Sequence, residues 1–490
     1  MKIFSKIMAT LVLAAMTVSV AACGPSEVNR GGGGGGLPSI DNPWWSTVGE
    51  LEKDADGNIV FSDVQINLTS VICGNDQSGF EALLRQFQRE YDNEITISHQ
   101  TYNQLEIDGT VRRQIQNETA APDLVLTHQK THASFAADEL IQPMDEAYEL
   151  AGLEVDTTNF LPNFADYCDL GYEGRMFTVP VDAQSMVIYY NKNILNKYGG
   201  ELPSGRTEFI ELCKRVQQGE RTTNSSFMSI ACGVSDFEFT EMYLLPTAVA
   251  QNGGEFYDED GRANWASGEN LTAFQNGVKA IQGLSNEGIM NLAENNEGAR
   301  SRFCNGNALF YISLPFDANV VFSAFAAASG HTLEVVQTQD IGGFSISGLF
   351  AMDENSEHAS KIFGDSHAFM MSRTVEDIEK KAAIATFVNW FTTNVEVGIE
   401  WAKLGHTSAS YAIRGNAAYN ADQYVTDFNN MFYEDISNFV TAGENENYTL
   451  IFPDLQTVLL NCVKTTTNDT QIQQLLQGAQ TRVNAALDLA

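Results

Sequence analysis

Basic residues are scarce in this chain. It carries 28 Lys and Arg against 63 Asp and Glu, a formal charge of −35 over 490 residues. A field of that sign repels nucleic-acid phosphates and anionic lipid headgroups, which excludes nucleic acid as a partner. The seven Cys are scattered, and no two have metal-ligand spacing such as CxxC. Beyond the N-terminus no apolar run reaches the roughly 20 residues of a membrane span. The short Ala-rich segment 320–329 reads as core. Catalytic signatures are missing too. Gly343-Phe344-Ser345-Ile346-Ser347 ends in Ser where a nucleophile elbow has Gly. His358 and His367 lack HExxH neighbours, and no P-loop occurs. Acids are so abundant that any one pair picked as a glycosidase couple is arbitrary. No internal repeat or cell-wall signal suggests an adhesin.

The N-terminus has what the rest lacks. Lys2 and Lys6 precede an apolar run over residues 7–20, and Val20-Ala21-Ala22-Cys23 follows. A secretory signal has these three parts: positive start, short apolar run, small residues at the cut. No Lys or Arg follows until Arg30, so a stop-transfer flank is missing. The segment resembles the lipobox of bacterial lipoproteins. That resemblance implies a signal peptide over residues 1–22 and a diacylglyceryl thioether on Cys23. The expected location is the extracellular face of the cell membrane, held by lipid. Six Cys then remain, which permits disulfides outside the cell and reads equally well as buried thiols.

Residues 23–60 read as a tether. Gly31 to Gly36 are six consecutive glycines, which hold no fixed conformation. Asp54-Ala55-Asp56-Gly57-Asn58 has a calcium-loop look. Ile59 stands where an EF-hand needs Gly, so a turn is expected instead.

The body alternates two periodicities. Residues 64–68 alternate apolar and polar, as a strand does. Phe80, Leu83, Leu84, Phe87 and Tyr91 then have helical spacing. Residues 94–99 and 124–126 read as further strands, with a helix over 111–117 between them. A hairpin is expected over 256–265 with its turn at Asp260-Gly261. Phe274, Val278 and Ile281 mark a helix over 271–284, and residues 308–314 a buried strand. Ile472, Leu476, Ala479, Val483 and Leu487 mark a closing helix. Strands alternating with helices predict α/β layers around a largely parallel sheet.

Several blocks carry a wider resemblance. Ala121-Pro122-Asp123-Leu124-Val125 with Leu140-Ile141-Gln142-Pro143-Met144-Asp145 is one. Gly174-Arg175-Met176-Phe177-Thr178-Val179-Pro180 with Tyr189-Tyr190-Asn191-Lys192 is another. Asn252-Gly253-Gly254, residues 306–314 and residues 387–405 follow in order. Together they resemble the extracellular solute-binding lipoproteins of ABC importers, in the sugar-binding group like maltose-binding protein. The resemblance implies a two-lobed, type II periplasmic-binding-protein-like fold with lobes joined by hinge strands. It places lobe 1 at residues 61–182 plus about 342–402, and lobe 2 at 183–341 plus about 403–490. The first crossover is expected near Pro180 to Ala183, with returns near Phe344 and Leu404.

The same resemblance implies a monomeric receptor, not an enzyme, with no cofactor and no metal. It captures a carbohydrate, an oligosaccharide foremost, and delivers it to ABC permease subunits. Polyamines, glycerol phosphates and peptides stay open as cargo, and a secreted hydrolase as the enzyme alternative. Two departures fall where ligand contacts are expected. Pro315-Phe316-Asp317 stands in place of Gly-Pro-Trp, and Ser70 and Cys73 stand where an aromatic is often found.

Sugar rings offer hydroxyls and C–H faces, so aromatic faces and short polar groups are the candidates. Trp401 comes first, because it precedes the turn Leu404-Gly405-His406-Thr407-Ser408, which faces the cleft in the family. Its alternative role is a core anchor. Tyr189, Tyr257 and Trp265 are the other aromatics, and His406 belongs to the turn itself. Asp182 follows Pro180 at the hinge, where a carboxylate can accept two hydroxyls. Asn75 and Asp76 follow the first strand, and His128 and Gln129 follow residues 124–126. Ligands of open α/β sheets sit beyond such strand ends. Asp317 follows the strand over 308–314.

Overall fold

Alternation in β1 (Val64–Ser70) sends Val64, Ile66 and Leu68 into the core. It is flanked by β2 (Ile95–Thr101) and β3 (Leu124–His128), both parallel to it. β3 is buried along its whole length, as strands covered on both faces are. The helix Gln77–Glu90 lays Phe80, Leu83, Leu84 and Phe87 on the sheet, and Ile107–Gln116 adds Ile107, Val111 and Ile115. Next along the chain are β4 (Ile141–Gln142), β5 (Val179–Pro180), β6 (Asp182–Ala183), β7 (Val187–Asn191), β8 (Ile230–Cys232), β9 (Phe310–Ser313) and β10 (Ile341–Ser345). β11 (Ile362–Phe363), β12 (His367–Ser372), β13 (Thr407–Ser408) and β14 (Phe439–Val440) complete the strands among the described residues.

This computed structural model describes residues 49–489 apart from 75, 173, 236–239, 423–437, 442–444 and 466–467. The expected signal, Cys23 and the glycine run lie outside the described residues.

Two sheets form two lobes. The first has the order β2-β1-β3-β12-β4, with β5 also on β12. The second has the order β10-β7-β9-β8. Helices Arg206–Glu220, Gly268–Asn286, Tyr448–Lys464 and Asp469–Leu487 pack around the second lobe. The last of these opens on a reciprocal cap between Asn468 and Gln471 and buries Ile472, Leu476, Ala479 and Val483, as the spacing predicts. Gly268–Asn286 likewise buries Phe274, Val278 and Ile281.

The structure corrects three expectations. First, neither sheet is largely parallel. β12 runs antiparallel to β3, β4 and β5, and β7 runs antiparallel to β9 and β10. A strand returning from the other lobe enters its sheet from the opposite end, so its direction reverses. Second, the return does not fall at Phe344, which pairs with Ile188 in the second sheet. The chain crosses back between Phe363 and His367, where β11 ends and β12 begins. The turn at Leu404 is no crossover either, because helices Tyr411–Arg414 and Ala417–Ala421 still pack on Ile378–Thr393 and Val395–Lys403 of the first lobe. Third, residues 256–265 turn at Asp260-Gly261 without forming paired strands. Asp258 Oδ1 accepts the amides of Asp260 and Arg262. The outgoing arm bonds instead to the C-terminal helix, through Gln480 and Asn484.

Two smaller readings agree with the structure. Asp54 Oδ1 accepts the amides of Asp56 and Asn58, which makes a turn of the calcium-like stretch. Cys168, Cys213 and Cys304 are buried thiols.

Candidate functional site

Parallel strands β1, β2 and β3 all end on one edge of the first sheet. Because β12 is antiparallel, its first residue, His367, sits on that same edge, opposite His128. A cavity of about 220 Å³ opens there. Val71, Ile72, Cys73 and Gly74 line it from beyond β1, Asn103 and Gln104 from beyond β2. His128, His367, His406, Asp76 and Gln184 add polar groups. The second lobe supplies Tyr243, Leu314 and Phe316. The lobes touch at Gly405, whose φ is +94° and where a Cβ would lie 2.4 Å from Phe316 Cα. Only glycine fits such a contact in that conformation.

Two buried carboxylates organise the polar wall. Asp182 takes the His367 amide at 2.8 Å on Oδ1. Its Oδ2 lies 2.8 Å from His367 Nδ1 and 2.9 Å from His406 Nδ1. Burial pushes the Asp182 carboxyl up, but the two imidazoles outweigh it and hold the group well below the usual carboxylate range. The other nitrogen of His406 reaches Asp76 Oδ2 at 3.0 Å. Burial disfavours charge on His406, yet its bonds to Asp182 and Asp76 carry its pKa up to about 9. His406 is therefore a cation on the cavity wall at neutral pH.

Asp365 organises the second group. Lys130 Nζ lies 2.9 Å and His128 Nδ1 3.0 Å from Asp365 Oδ2. Burial opposes ionisation of Asp365, and the Lys130 charge and His128 overcome it. His128 is pushed down to about 4 by burial and then by Lys130, so it lines the cavity as a neutral imidazole. Lys130 also reaches the second lobe: its Nζ is 5.1 Å from the Tyr243 ring centroid and 5.8 Å from that of Tyr448.

Of the expected site residues, Asp76, His128 and His406 line the cavity. Asn75 lies outside the described residues. Asp182 stands behind the wall and positions His367 and His406. Trp401 is corrected to a core residue, 1 % exposed, with its ring stacked 3.9 Å from that of His406. Phe80 and Phe391 enclose its other sides at 5.6 and 5.5 Å. Gln129 is buried and donates to Phe164 O. Tyr189 and Trp265 are core residues of the second lobe, donating to Leu314 O and Phe256 O. Asp317 is buried against Tyr311 and Ser313. Tyr257 lines a separate surface hollow with Asp258 and Asn445. The aromatics failed as cleft faces because a large ring gains more from full burial than from a half-exposed wall.

The sequence reading missed His367, Gln184, Tyr243 and Asn103 as wall residues. His367 had one readable signal: a histidine opening the apolar strand His367–Ser372. Its place at the strand-end edge depends on the antiparallel direction of β12, which local pattern does not encode.

Behind this wall His132 is fully buried, with Nδ1 2.8 Å from Thr178 Oγ1. Burial depresses its pKa to about 3. An unfolded imidazole titrates near 6.5, so its native neutral form stabilises the fold above that pH. The contribution fades as pH falls from about 6.5 toward about 3. Wild type should lose about 2–3 kcal/mol from this group between pH 7 and pH 4.5. His132→Asn, which keeps a donor near Thr178, should show a shallower acid slope in urea unfolding. Equal slopes would assign the acid sensitivity elsewhere.

Known proteins share this architecture. A family model described as bacterial extracellular solute-binding protein matches residues 74–397. The fold is similar to the GacH receptor of Streptomyces glaucescens, solved unliganded and with acarbose (14% identity, 86% of this chain and 98% of that chain, TM-score 0.66). It is similar to maltose-bound MalE3 of T. maritima (17% identity, 86% and 100% covered, TM-score 0.66). The sugar-binding protein MalE of Xanthomonas citri is a third (13% identity, 87% and 99% covered, TM-score 0.67). At these identities the likeness is one of fold. A stretch of 79 residues is 27% identical to the sn-glycerol-3-phosphate-binding periplasmic protein UgpB of Escherichia coli K12, covering 16% of this chain and only 18% of that protein. The family model, by contrast, runs through both sheets and the cavity between them, and the chain belongs to the bacterial extracellular solute-binding proteins.

Proposed function

We propose that this protein is the receptor of an ABC importer, anchored by lipid at Cys23, and that it captures a short carbohydrate between its lobes. The observation that carries the reading is the cavity at the strand-end edge, walled by His128, His367 and His406 on one side and Tyr243, Leu314 and Phe316 on the other. Clefts between lobes are where small ligands bury most surface. A ligand touching both walls stabilises the closed form, and closure gives the permease a distinct surface to read. The solved relatives bound to maltose and acarbose support a saccharide cargo. The cavity is below the roughly 300 Å³ at which drug-sized pockets begin, so one or two sugar rings fit and a longer chain requires wider opening. A glycerol phosphate is the second reading, favoured by the His406 cation on the wall and the 79-residue match.

A thermal-shift screen tests the cargo. The panel holds mono- and disaccharides, longer oligosaccharides, glycerol 3-phosphate, polyamines and peptides. The cognate sugar should raise the melting temperature with dose, worth about 2.7 kcal/mol at a hundred times Kd. Silence from every sugar with a response to glycerol 3-phosphate would replace the carbohydrate reading, and turnover of the ligand would put a hydrolase in its place. For the anchor, Cys23→Ser should move the protein from membrane to soluble fractions. Retention in the membrane would sink that part.

A further inference from the structure

Two nitrogens converge on one oxygen of Asp182 beside the cavity. Gln184 Nε2 lies 3.0 Å from His406 Nδ1 and 3.3 Å from Asp182 Oδ2. His406 Nδ1 lies 2.9 Å from the same Oδ2. The amide nitrogen only donates, and an ionised carboxylate only accepts. If His406 Nδ1 carries a proton, it and the amide both donate to Oδ2. If it does not, its lone pair faces the carboxylate oxygen. Turning the amide round puts its oxygen against Oδ2 instead. A metal cation in place of the Nδ1 proton would be held by the lone pairs of both Nδ1 and Oδ2.

A third donor atom is already in place. His367 Nδ1 lies 2.8 Å from Asp182 Oδ2, and the donor atoms of Asp182, His367 and His406 all fall within 4.8 Å of one another. With metal–ligand bonds of about 2.0–2.2 Å, adjacent ligands stand ~3.0 Å apart around an octahedral ion and ~3.4 Å around a tetrahedral one, so these atoms need to part by only ~0.2–0.6 Å. Two imidazoles and one carboxylate on one face of an ion suit a divalent transition metal. The outer contact is also present: His406 Nε2 reaches Asp76 Oδ2 at 3.0 Å. Metal-bound imidazoles characteristically donate their second N–H to such a carboxylate. We propose that Asp182 Oδ2, His367 Nδ1 and His406 Nδ1 form a divalent transition-metal site on the cleft wall. His367 and His406 both line the cavity, with Asp182 fully buried behind them, which sets the site at the inner edge of the cavity. Both histidines bind as neutral imidazoles with the remaining proton on Nε2, that of His406 donated to Asp76, and a proton displaced from a charged imidazole passes to solvent. The three ligands are far apart in the chain, which is why spacing gave no sign of them.

The test needs no carbohydrate, so its outcome is separate from that of the cargo screen. The full chain, purified without a histidine tag and stripped with chelator, is titrated with Zn²⁺. One equivalent should bind per chain. His367→Ala and His406→Ala should each weaken Zn²⁺ binding more than tenfold, and Asp76→Asn about tenfold. Melting curves of each metal-free variant check that it folds. Failure of wild type to take up one Zn²⁺ at micromolar concentration overturns the site, whatever the variants do. Undiminished affinity in the folded His367→Ala and His406→Ala proteins overturns it equally.

Discussion

Trp401→Ala should destabilise the protein by about 3–5 kcal/mol, the range for truncating a large buried aromatic. Trp401 is 1 % exposed and closes an aromatic cluster with Phe80 and Phe391. It also supports His406, whose ring stacks on it at 3.9 Å with an interplanar angle of 13°. Removing the indole leaves a void behind the cavity wall and frees the imidazole to turn. The loss should appear in urea unfolding with no ligand present, as a lower midpoint. A variant as stable as wild type but weak in ligand binding would return Trp401 to the cleft face that sequence position suggests. Trp401→Phe separates the two roles further. It keeps most of the buried volume, so stability should fall by less than in the alanine variant, whereas a ligand-stacking role would lose binding in both.

Asp365→Ala should cost a similar amount, about 3–5 kcal/mol, because it strands a buried cation. Lys130 Nζ and His128 Nδ1 both sit within 3.0 Å of Asp365 Oδ2. Its Oδ1 also accepts the Ser366 amide at 2.9 Å. Without the carboxylate, Lys130 is left 4 % exposed against Tyr243 and Tyr448. Those rings offer a cation–π contact, which is worth less than the desolvation of an ammonium. The double variant Asp365→Ala, Lys130→Met should recover most of the loss, since it removes both charges together. A double variant no more stable than Asp365→Ala would mean that the carboxylate acts through His128 and the backbone N–H groups it accepts from, and not through the Lys130 ammonium. The pair joins β3, the strand β12 and the second lobe, so the same cycle should also change the ligand-free preference between open and closed forms, readable by small-angle scattering.

The elements of this protein were legible in its sequence because they depend on neighbours three or four residues away. Phe80, Leu83, Leu84 and Phe87 define one helix face whatever they pack against, and Ile472 to Val483 define another. The order of the blocks was enough to suggest two lobes with a crossover near Pro180 to Ala183, and β5 and β6 stand there. Strand ends marked Asp76 and His128 as wall residues for a general reason: loops beyond parallel strands meet on one edge.

Direction and burial were not legible, since both depend on partners far along the chain. Phe344 is apolar in either lobe, and only its pairing with Ile188 assigns it to the second. Trp401, Tyr189 and Trp265 have the composition of a sugar platform. The tertiary structure decided otherwise, because each ring found a cavity of its own size inside a lobe, where burial is worth more than partial exposure. Asp182, His367 and His406 are separated by 185 and 224 residues from the first to each of the others. The sequence by itself determined the helices, the strand ends and the acidic surface. The folded chain alone decided which imidazoles meet which carboxylates, because that depends on β12 entering its sheet in reverse.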